Sequence, residues 1–314
     1  MTRDGDGVTL TARAFDAEMA AKRHSSSIAA LPLELMRDIV SLVVVSADRR
    51  DLIMILSQVS QKFRLAVLDM SWLFTEADWN KWPTPFLDLW CQRARIQPLT
   101  VYVTSPTIRR LSDGRAPELR ALLESCSQRW GSLRLDINDL GACIAHFLGQ
   151  FLHRGCPSLH TLSLSRNNHA FHPTSTIHLQ IDRFPLLRAL HLDGVWPDFS
   201  QPPVSATELA FICEYVEEWT RSLHLVQSCQ LIQRLTIDSR GYSVPTNSFP
   251  TTKVILPSLI YLELRGLGAG TAGVTSRFLG CCDVPNLESL VIQPALDFWV
   301  AEMGKVLCQI VVRG

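Results

Sequence analysis

The most regular feature of the sequence is a short alternation of apolar and polar positions that returns about every 28 residues. Each occurrence reads apolar-x-x-Leu-x-apolar, as expected of a strand with one buried face. The six occurrences begin at Trp130, Leu159, Leu187, Ile232, Leu259 and Leu287. Their spacings are 29, 28, 45, 27 and 28 residues, so four of the five intervals are nearly equal. Such a period predicts an array of repeated structural units.

Two further strands are predicted from the same alternation. The 45-residue interval is long enough to contain a degenerate unit, for which residues 208–212 form the predicted strand. An earlier unit is predicted at residues 99–103, preceded by a helix around residues 86–95. The array is therefore expected to begin soon after residue 95 and to continue through the interval that lacks a clear repeat.

The segments between the strands predict helices and a recurring corner. Helices are expected at residues 118–128, 142–153, 214–229 and 277–282. A proline stands two residues before the strand pattern in four units, as Pro157, Pro185, Pro257 and Pro285. Because proline ends a helix and fixes its own φ, this shared position predicts the same corner in each unit. Neither a strand nor a helix can cover its own apolar face alone, so the units should stack into a curved wall with an exposed strand face.

The first 75 residues follow a helical pattern instead. Residues 1–27 lack regular hydrophobic spacing and are expected to form a flexible tail. A first helix is predicted to begin at Pro32, a second to be capped by Asp51, and a third to carry Phe63. In each helix the apolar residues recur at three- and four-residue spacings, which places them on one face. Three such helices enclose a small core, which implies support from a partner or from the following domain.

Composition and charge narrow the class of protein. The 314 residues include 30 basic and 30 acidic side chains without a Lys/Arg-rich block, so nucleic acid is not expected as a partner. No apolar run approaches the roughly 18 residues that span a bilayer, and no secretory signal pattern is present. Nine irregularly spaced cysteines indicate reduced, packed thiols. We therefore expect a protein of the cytoplasm or nucleus that does not contact membranes.

Two motifs carry candidate chemistry, but structural explanations outweigh both. Residues 268–273 read G-x-G-x-x-G, a spacing that lets glycines approach a pyrophosphate, yet the next strand supplies no acid for a ribose. Cys143, His146, His153 and Cys156 are zinc-type ligands, yet Cys143 and His153 would lie about 15 Å apart along one helix. No Walker, nucleophile-elbow or metalloprotease signature occurs. We expect no enzyme activity, no catalytic residue, no metal and no cofactor.

The helical region resembles an F-box. The resemblance rests on the segments LPLELMRDIV and DLIMILSQVSQKFRLAVL and on a closing Trp72, and it covers residues 28–75. The chain departs from the F-box pattern in two places, since the linker 47–50 has no proline and Phe63 stands where tryptophan is frequent. The resemblance implies binding to the Skp-type adaptor of a cullin-RING ubiquitin ligase. The residues implied for that contact are Leu31, Pro32, Leu35, Met36, Ile39, Leu52, Val59, Phe63 and Trp72.

The repeats resemble leucine-rich repeats. The motif L-x-x-L-x-L-x-x-N is complete at residues 159–167, and Asn138 holds the asparagine position of an earlier unit. The other units replace that asparagine, so an irregular array is expected. The resemblance implies an α/β protein in which an irregular leucine-rich-repeat solenoid, or horseshoe, covers residues 97–314. A linking helix at residues 76–96 would join it to the small all-α F-box domain.

The two resemblances together imply the substrate-recognition subunit of a cullin-RING ubiquitin ligase, whose repeats hold a substrate protein. The alternative is a non-catalytic repeat scaffold for protein–protein interaction, whose helices only cover one end of the array. The polar positions expected to face a substrate are Ser163, Ser165, His191, Asp193, Thr236, Asp238, Glu263 and Arg265. These positions show no dominant charge, so the sequence does not indicate the substrate class.

Overall fold

The chain divides into two compact units. The computed structural model describes residues 31–44, 49–137, 149, 152, 155–166, 177–213, 216–239, 253–267 and 278–294. The first unit comprises Met1–Phe74 with Arg93–Arg95, and the second comprises Thr75–Gln92 and Ile96–Gly314. Within the described ranges, no helix combines the length and the apolar character that crossing a bilayer requires. The predicted tail at residues 1–27 lies outside these ranges.

The described part of the first unit is helical. Its elements are α1 (Leu33–Val44), α2 (Arg49–Val59), α3 (Gln61–Asp69) and a 3-10 helix (Ser71–Phe74). The predicted start of α1 is wrong by one residue, because Pro32 lies before the helix and its carbonyl accepts the Met36 amide at 3.1 Å. Asp51 does not cap α2 but lies in its first turn. There the positive end of the helix dipole stabilises its carboxylate.

Helix α3 has a side-chain cap at its N-terminus and a buried face. The hydroxyl of Ser60 caps it by accepting the Phe63 amide at 3.2 Å. Phe63, Ala66 and Val67, which share one face of this helix, are all buried. An ion pair between Arg37 and Asp69 joins α1 to α3. The other buried apolar side chains of this small core are Met36, Val40, Ile53, Met70, Leu73 and Phe74.

The second unit is built on one parallel sheet of nine strands. The strands, in their spatial order, are β1 (Glu76–Asp78), β2 (Leu99–Thr104), β3 (Trp130–Asp136), β4 (Thr161–Ser165), β6 (Ala189–Asp193), β8 (Glu208–Cys213), β9 (Arg234–Ser239), β11 (Tyr261–Leu267) and β13 (Ser289–Pro294). Two short parallel pairs lie apart from this sheet: β5 (His178–Leu179) with β7 (Asp198–Phe199), and β10 (Val254–Ile255) with β12 (Cys282–Asp283). Sequence order is kept across the sheet, as expected of stacked repeats. Every predicted strand is present, whereas β1 and the four strands of the short pairs were not predicted.

Helices fill several of the connections between these strands. They are α4 (Thr84–Arg93), α5 (Ser105–Ser112), α6 (Pro117–Cys126) and α7 (Val216–Ser228). Helices α6 and α7 confirm the predictions at 118–128 and 214–229 to within two residues at each end. The linking helix was predicted at residues 76–96, but only Thr84–Arg93 of that segment is helical. Its first residues, Glu76–Asp78, form strand β1 instead. Most of the helix predicted at 142–153 lies outside the described residues.

The leucines of the repeats, with a few other apolar residues, form two rows that cross eight of the nine strands, from β2 to β13. The first row is Val101, Leu133, Leu162, Leu190, Leu209, Leu235, Leu262 and Leu290. The second row is Val103, Leu135, Leu164, Leu192, Phe211, Ile237, Leu264 and Ile292. All of these side chains are buried except those of β13, which lies at the edge of the sheet and leaves them half-exposed. The predicted inward face is therefore confirmed.

The predicted corner recurs in all four units that carry the proline. In each unit the amide that begins the strand pattern donates a hydrogen bond to the carbonyl three residues earlier, which closes a β-turn with proline in its second position. These bonds are Leu159 to Cys156 at 2.9 Å, Leu187 to Phe184 at 3.0 Å, Leu259 to Leu256 at 3.3 Å and Leu287 to Val284 at 3.2 Å. Proline suits this position because its fixed φ matches the turn.

Candidate interaction surfaces

Helix α1 exposes apolar side chains that the core does not use. Met36 and Val40 point into the core and are fully buried. Leu35 and Leu42 are 49% and 75% exposed, and Ile39 between them is partly exposed. Because residues 35, 39 and 42 have i, i+4 and i+7 spacing, they form a second apolar stripe beside the buried one.

Helix α2 repeats this arrangement. Ile53 is buried, whereas Ile55 and Val59 are 59% and 53% exposed. Leu52, which is partly exposed, completes an i, i+3, i+7 stripe with them. Among the described residues, the first unit holds eight of the fifteen exposed large apolar side chains, which are Leu35, Leu42, Val43, Met54, Ile55, Val59, Leu65 and Trp72. A small unit with so much uncovered apolar surface is typical of a protein that docks on a partner.

The nine residues that the F-box resemblance assigns to adaptor binding fall into three groups by exposure. The exposed ones are Pro32, Leu35, Val59 and Trp72. Leu31, Ile39 and Leu52 are partly exposed, and Met36 and Phe63 are buried in the core. Leu42 and Ile55 were not in this set, although each is more exposed than Leu35 or Val59. Their helical spacing from Leu35 and Leu52 was the signal that could have identified them.

The second surface is the polar face of the nine-stranded sheet, whose side chains alternate with the buried leucines and form three rows. The first row is Glu76, Thr100, Ser132, Thr161, Ala189, Glu208, Arg234, Tyr261 and Ser289. The second row is Asp78, Tyr102, Arg134, Ser163, His191, Ala210, Thr236, Glu263 and Val291. The third row is Thr104, Asp136, Ser165, Asp193, Ile212, Asp238, Arg265 and Gln293.

The eight positions expected to face a substrate all lie in the second and third rows. Ser163, His191, Thr236 and Glu263 belong to the second row, and Ser165, Asp193, Asp238 and Arg265 belong to the third. Ser165 and Glu263 are nevertheless largely covered by their neighbours. The acidic and aromatic residues of β1, β2, β3 and β8 share this face but were missed, because only the register between strands brings them into the rows.

Glu263 is the centre of a hydrogen-bond network on this face. Arg265 donates to both of its carboxylate oxygens, from Nε at 2.8 Å and from Nη2 at 2.9 Å. Tyr261 Oη donates to Oε2 at 3.1 Å, and Gln293 Nε2 donates to Oε1 at 3.0 Å. The bonds from Arg265 hold the pKa of Glu263 below its usual value. The Arg234 guanidinium lies over the Tyr261 ring at 4.5 Å, so non-covalent contacts connect the side chains of neighbouring strands in this part of the surface.

Similar contacts occur nearer to the first strands. Tyr102 Oη donates to Asp136 Oδ2 at 3.4 Å, and Arg134 lies over the Tyr102 ring at 5.3 Å. Burial, followed by the neighbouring Asp136 charge, raises the pKa of Tyr102. His191 Nε2 lies 3.2 Å from Glu208 Oε1 across two adjacent strands. The polar face therefore fixes many of its own side chains before a ligand is bound.

A groove of about 450 Å³ lies beside α7, and its lining includes Ser228, His224 and Asp198. These are the residue types of a catalytic triad. The geometry does not form one. Ser228 Oγ donates to the His224 carbonyl at 2.8 Å, and Asp198 Oδ2 instead lies 3.0 Å from His178 Nδ1. The other walls include Trp196 and Phe199, so the groove is mainly an apolar depression.

The candidate chemical motifs lie largely outside the described residues. This applies to residues 268–273 and to Cys143, His146 and His153 of the cysteine–histidine motif. Cys156 is described and fully buried, and burial raises its pKa to about 12. Within the described ranges, no group of three or more His, Cys, Asp or Glu side chains is placed to hold a metal ion.

The structure also brings together two thiols that the sequence analysis did not pair. Cys91 on α4 and Cys126 on α6 are both buried and in contact. The hydrogen bond from Cys91 lowers the pKa of Cys126, whereas the same contact and burial raise the pKa of Cys91. Both thiols are too deeply buried to serve as an open nucleophilic site.

Comparisons with known proteins add no further information about the function. No protein-family model and no curated protein matches the chain. The chain is an α/β protein with helices at the N-terminal end and a long all-parallel sheet. The apolar helical stripes and the polar sheet face are two surfaces that this chain offers to a partner.

Proposed function

We propose that this chain is a substrate receptor of a cullin-RING ubiquitin ligase. The helical unit is an F-box that docks on the Skp-type adaptor, and the sheet unit is an irregular leucine-rich-repeat solenoid that holds a substrate protein. The chain itself makes and breaks no bonds. It contributes proximity, because holding a substrate lysine near the ligase raises its effective concentration at the conjugating enzyme.

The observation that carries this proposal is the pair of uncovered apolar stripes on α1 and α2. Leu35 and Leu42 on α1, and Ile55 and Val59 on α2, each leave about half or more of their surface in water. Full burial of an exposed side chain of this kind yields about 1.5–3 kcal/mol, so covering the exposed half of each against a partner yields about 1 kcal/mol. A few such anchors are enough to hold a protein interface. The stripes lie within the segments that resemble an F-box, so the Skp-type adaptor is the partner we assign to them.

The sheet supports the second half of the proposal. A period of 27 to 29 residues, parallel strands in sequence order and one proline turn at a fixed position are properties of leucine-rich repeats. The asparagines of the motif, Asn138 and Asn167, lie outside the described residues. The rows of polar side chains on the opposite face from the leucines give a broad surface for a protein ligand.

Adaptor binding by the purified chain tests the proposal. We expect the wild-type chain to form a complex with purified Skp-type adaptor, and Leu35→Asp with Val59→Asp to weaken it at least about tenfold, because each change places a charge in an apolar contact. Neither residue is in the core, so the fold should survive. The readouts are size-exclusion chromatography and titration calorimetry.

A matched control is available in the second unit. Leu186 and Val204 are 51% and 58% exposed, close to the values for Leu35 and Val59, so Leu186→Asp with Val204→Asp makes the same chemical change elsewhere. We expect this control to bind the adaptor within about twofold of wild type. A wild-type chain that forms no complex contradicts the proposal and favours a repeat scaffold without a ligase. Equal losses in the two double variants also contradict it.

A further inference from the structure

We propose that Arg166, at the carboxyl end of β4, is the anchor of an oxyanion-binding site. The ligand group that it fits is a carboxylate or a phosphate, because two oxygens of either group match the planar guanidinium. The inference goes beyond the proposed function, since it holds whether or not the chain belongs to a ligase. Arg166 was not among the positions that the sequence analysis expected to face a substrate.

Arg166 is a buried charge that lacks a counter-charge. It is 7% exposed, and no other basic side chain of the described residues is buried to this extent. Its guanidinium makes no ion pair and no hydrogen bond with the part of the chain that the structure describes. Glu263, which is as deeply buried, accepts hydrogen bonds from three side chains. Because burying an unpaired ionised group is unfavourable, an anion is expected to complete the position of Arg166.

Arg166 lies where three neighbouring strands end. Their pairing continues for one residue beyond the strands, since the Ile137 amide donates to the Ser165 carbonyl at 2.7 Å and the Arg166 amide donates to the Asp193 carbonyl at 2.9 Å. The register therefore places Arg166 between Ile137 and Gly194. Ile137 is fully buried and Gly194 has no side chain, so neither neighbour carries a negative charge. The carboxyl ends of parallel strands are also where open α/β sheets usually bind their ligands.

The aspartates of the adjoining strands do not take the place of this ligand. Asp136 and Asp193 are the last residues of β3 and β6, and both belong to the third row of the polar face. Ser165 holds the same row position on β4, and Arg166 follows it. Since side chains alternate along a strand, Arg166 is placed on the side of the leucines, opposite to that row.

The guanidinium of Arg166 can be reached from solvent although its stem is buried. Fully covered side-chain nitrogens without a hydrogen bond occur in Arg37 and Arg129, but none of those in the described residues belongs to Arg166. Its head group therefore keeps some contact with water. Because the covered stem has already lost most of its freedom, little more is lost when the head group forms two parallel hydrogen bonds to an oxyanion.

A melting experiment on the full-length wild-type chain detects the site. The probes are sodium phosphate and sodium acetate, each raised to about 50 mM while sodium chloride keeps the ionic strength constant. We expect at least one probe to raise the melting temperature by about 2–4 °C along a curve that saturates. Saturation with phosphate identifies a phosphate site, and saturation with acetate identifies a carboxylate site. No rise overturns the inference, as does a rise without saturation, which general salt exclusion produces.

Two arginine variants locate the site. Arg166→Met keeps an apolar stem and removes the guanidinium, so we expect the saturable rise to disappear. The matched control is Arg221→Met, because Arg221 is exposed on α7 and also has no partner among the described residues. The rise in this control should stay within about 1 °C of the wild-type value. A rise that persists in Arg166→Met, or equal losses in the two variants, overturns the inference.

Chemical labelling locates the site on the wild-type chain, so the test stays decisive if Arg166→Met does not fold. Phenylglyoxal modifies guanidinium groups that it can reach, and mass spectrometry of peptides reports the modification of each arginine. We expect the saturating oxyanion to slow the labelling of Arg166 at least about threefold and to leave that of Arg221 unchanged. Equal protection of the two arginines, or no protection of Arg166, overturns the inference.

Adaptor binding, measured on the same protein, separates this inference from the proposed function. A chain that binds the adaptor but shows no saturable rise overturns only the oxyanion site. A chain that shows the rise and the protection of Arg166 but binds no adaptor supports the oxyanion site and contradicts the ligase function.

Discussion

At the scale of single residues, Glu263 shows how a charge is held on the sheet surface. It is 5% exposed and accepts hydrogen bonds from Tyr261, Arg265 and Gln293. A carboxylate this well covered is stable only because ionised and polar donors replace the water it has lost. The sequence identified Glu263 as a surface position, but it could not show this network, which depends on the pairing of β11 with β13.

This network gives a prediction about pH. The pKa of Glu263 is lowered in the folded protein, so its ionised form adds stability above the usual pKa of 4.5, and this contribution is lost as the pH falls through the lowered value. We expect Glu263→Gln to reduce the free energy of unfolding by about 1–2 kcal/mol at pH 7. Urea unfolding between pH 7 and pH 3 should show this difference shrinking below pH 4.5.

The exposed carboxyl of Glu288 supplies the control for that experiment. Glu288→Gln should leave the free energy of unfolding within about 0.5 kcal/mol of wild type throughout the pH range. A Glu263→Gln difference that persists unchanged at the lowest pH would show that the carboxylate charge is not what stabilises this position.

At the scale of elements, stability depends on where a leucine lies in the sheet. Leu262 and Leu290 are partners in the same row, on β11 and on the edge strand β13. Leu262 is fully buried, whereas Leu290 is half-exposed. We expect Leu262→Ala to lower the free energy of unfolding by about 2–5 kcal/mol and Leu290→Ala by about 1 kcal/mol. Urea midpoints measure both, and equal costs would contradict the central position of Leu262 in the core.

The sequence predicted elements well where one face is apolar and strictly periodic. Strands β2, β3, β4, β6, β8, β9, β11 and β13 were predicted for that reason, and the shared turns were predicted from the position of their prolines. Strand β1 was missed because Glu76–Asp78 has three residues and no apolar pair, so only its bonding to β2 makes it a strand. Helix α5 was missed because it has only eight residues and follows β2 without a loop, so its apolar pattern merges with that of the strand.

At the scale of the whole molecule, the chain places its two candidate surfaces on different units. The apolar stripes belong to the first unit and the polar rows to the second. The sequence predicted the exposed strand face from its periodicity, whereas the residues of a docking surface on the helices were only implied by the resemblance to an F-box. It could not predict that Met36 and Phe63 are buried while Leu42 and Ile55 are exposed, because helix packing decides which of two apolar stripes faces the core.

Hydrogen exchange of the full-length chain, alone and with purified Skp-type adaptor, tests the proposed division of roles most directly. We expect the adaptor to slow backbone exchange in α1 and α2 and to leave the nine strands of the sheet unchanged, because the proposed contact is made by the apolar stripes of the helical unit. Unchanged exchange in α1 and α2 at saturating adaptor, or protection confined to the strands, would contradict the assignment of the helical unit as the docking domain.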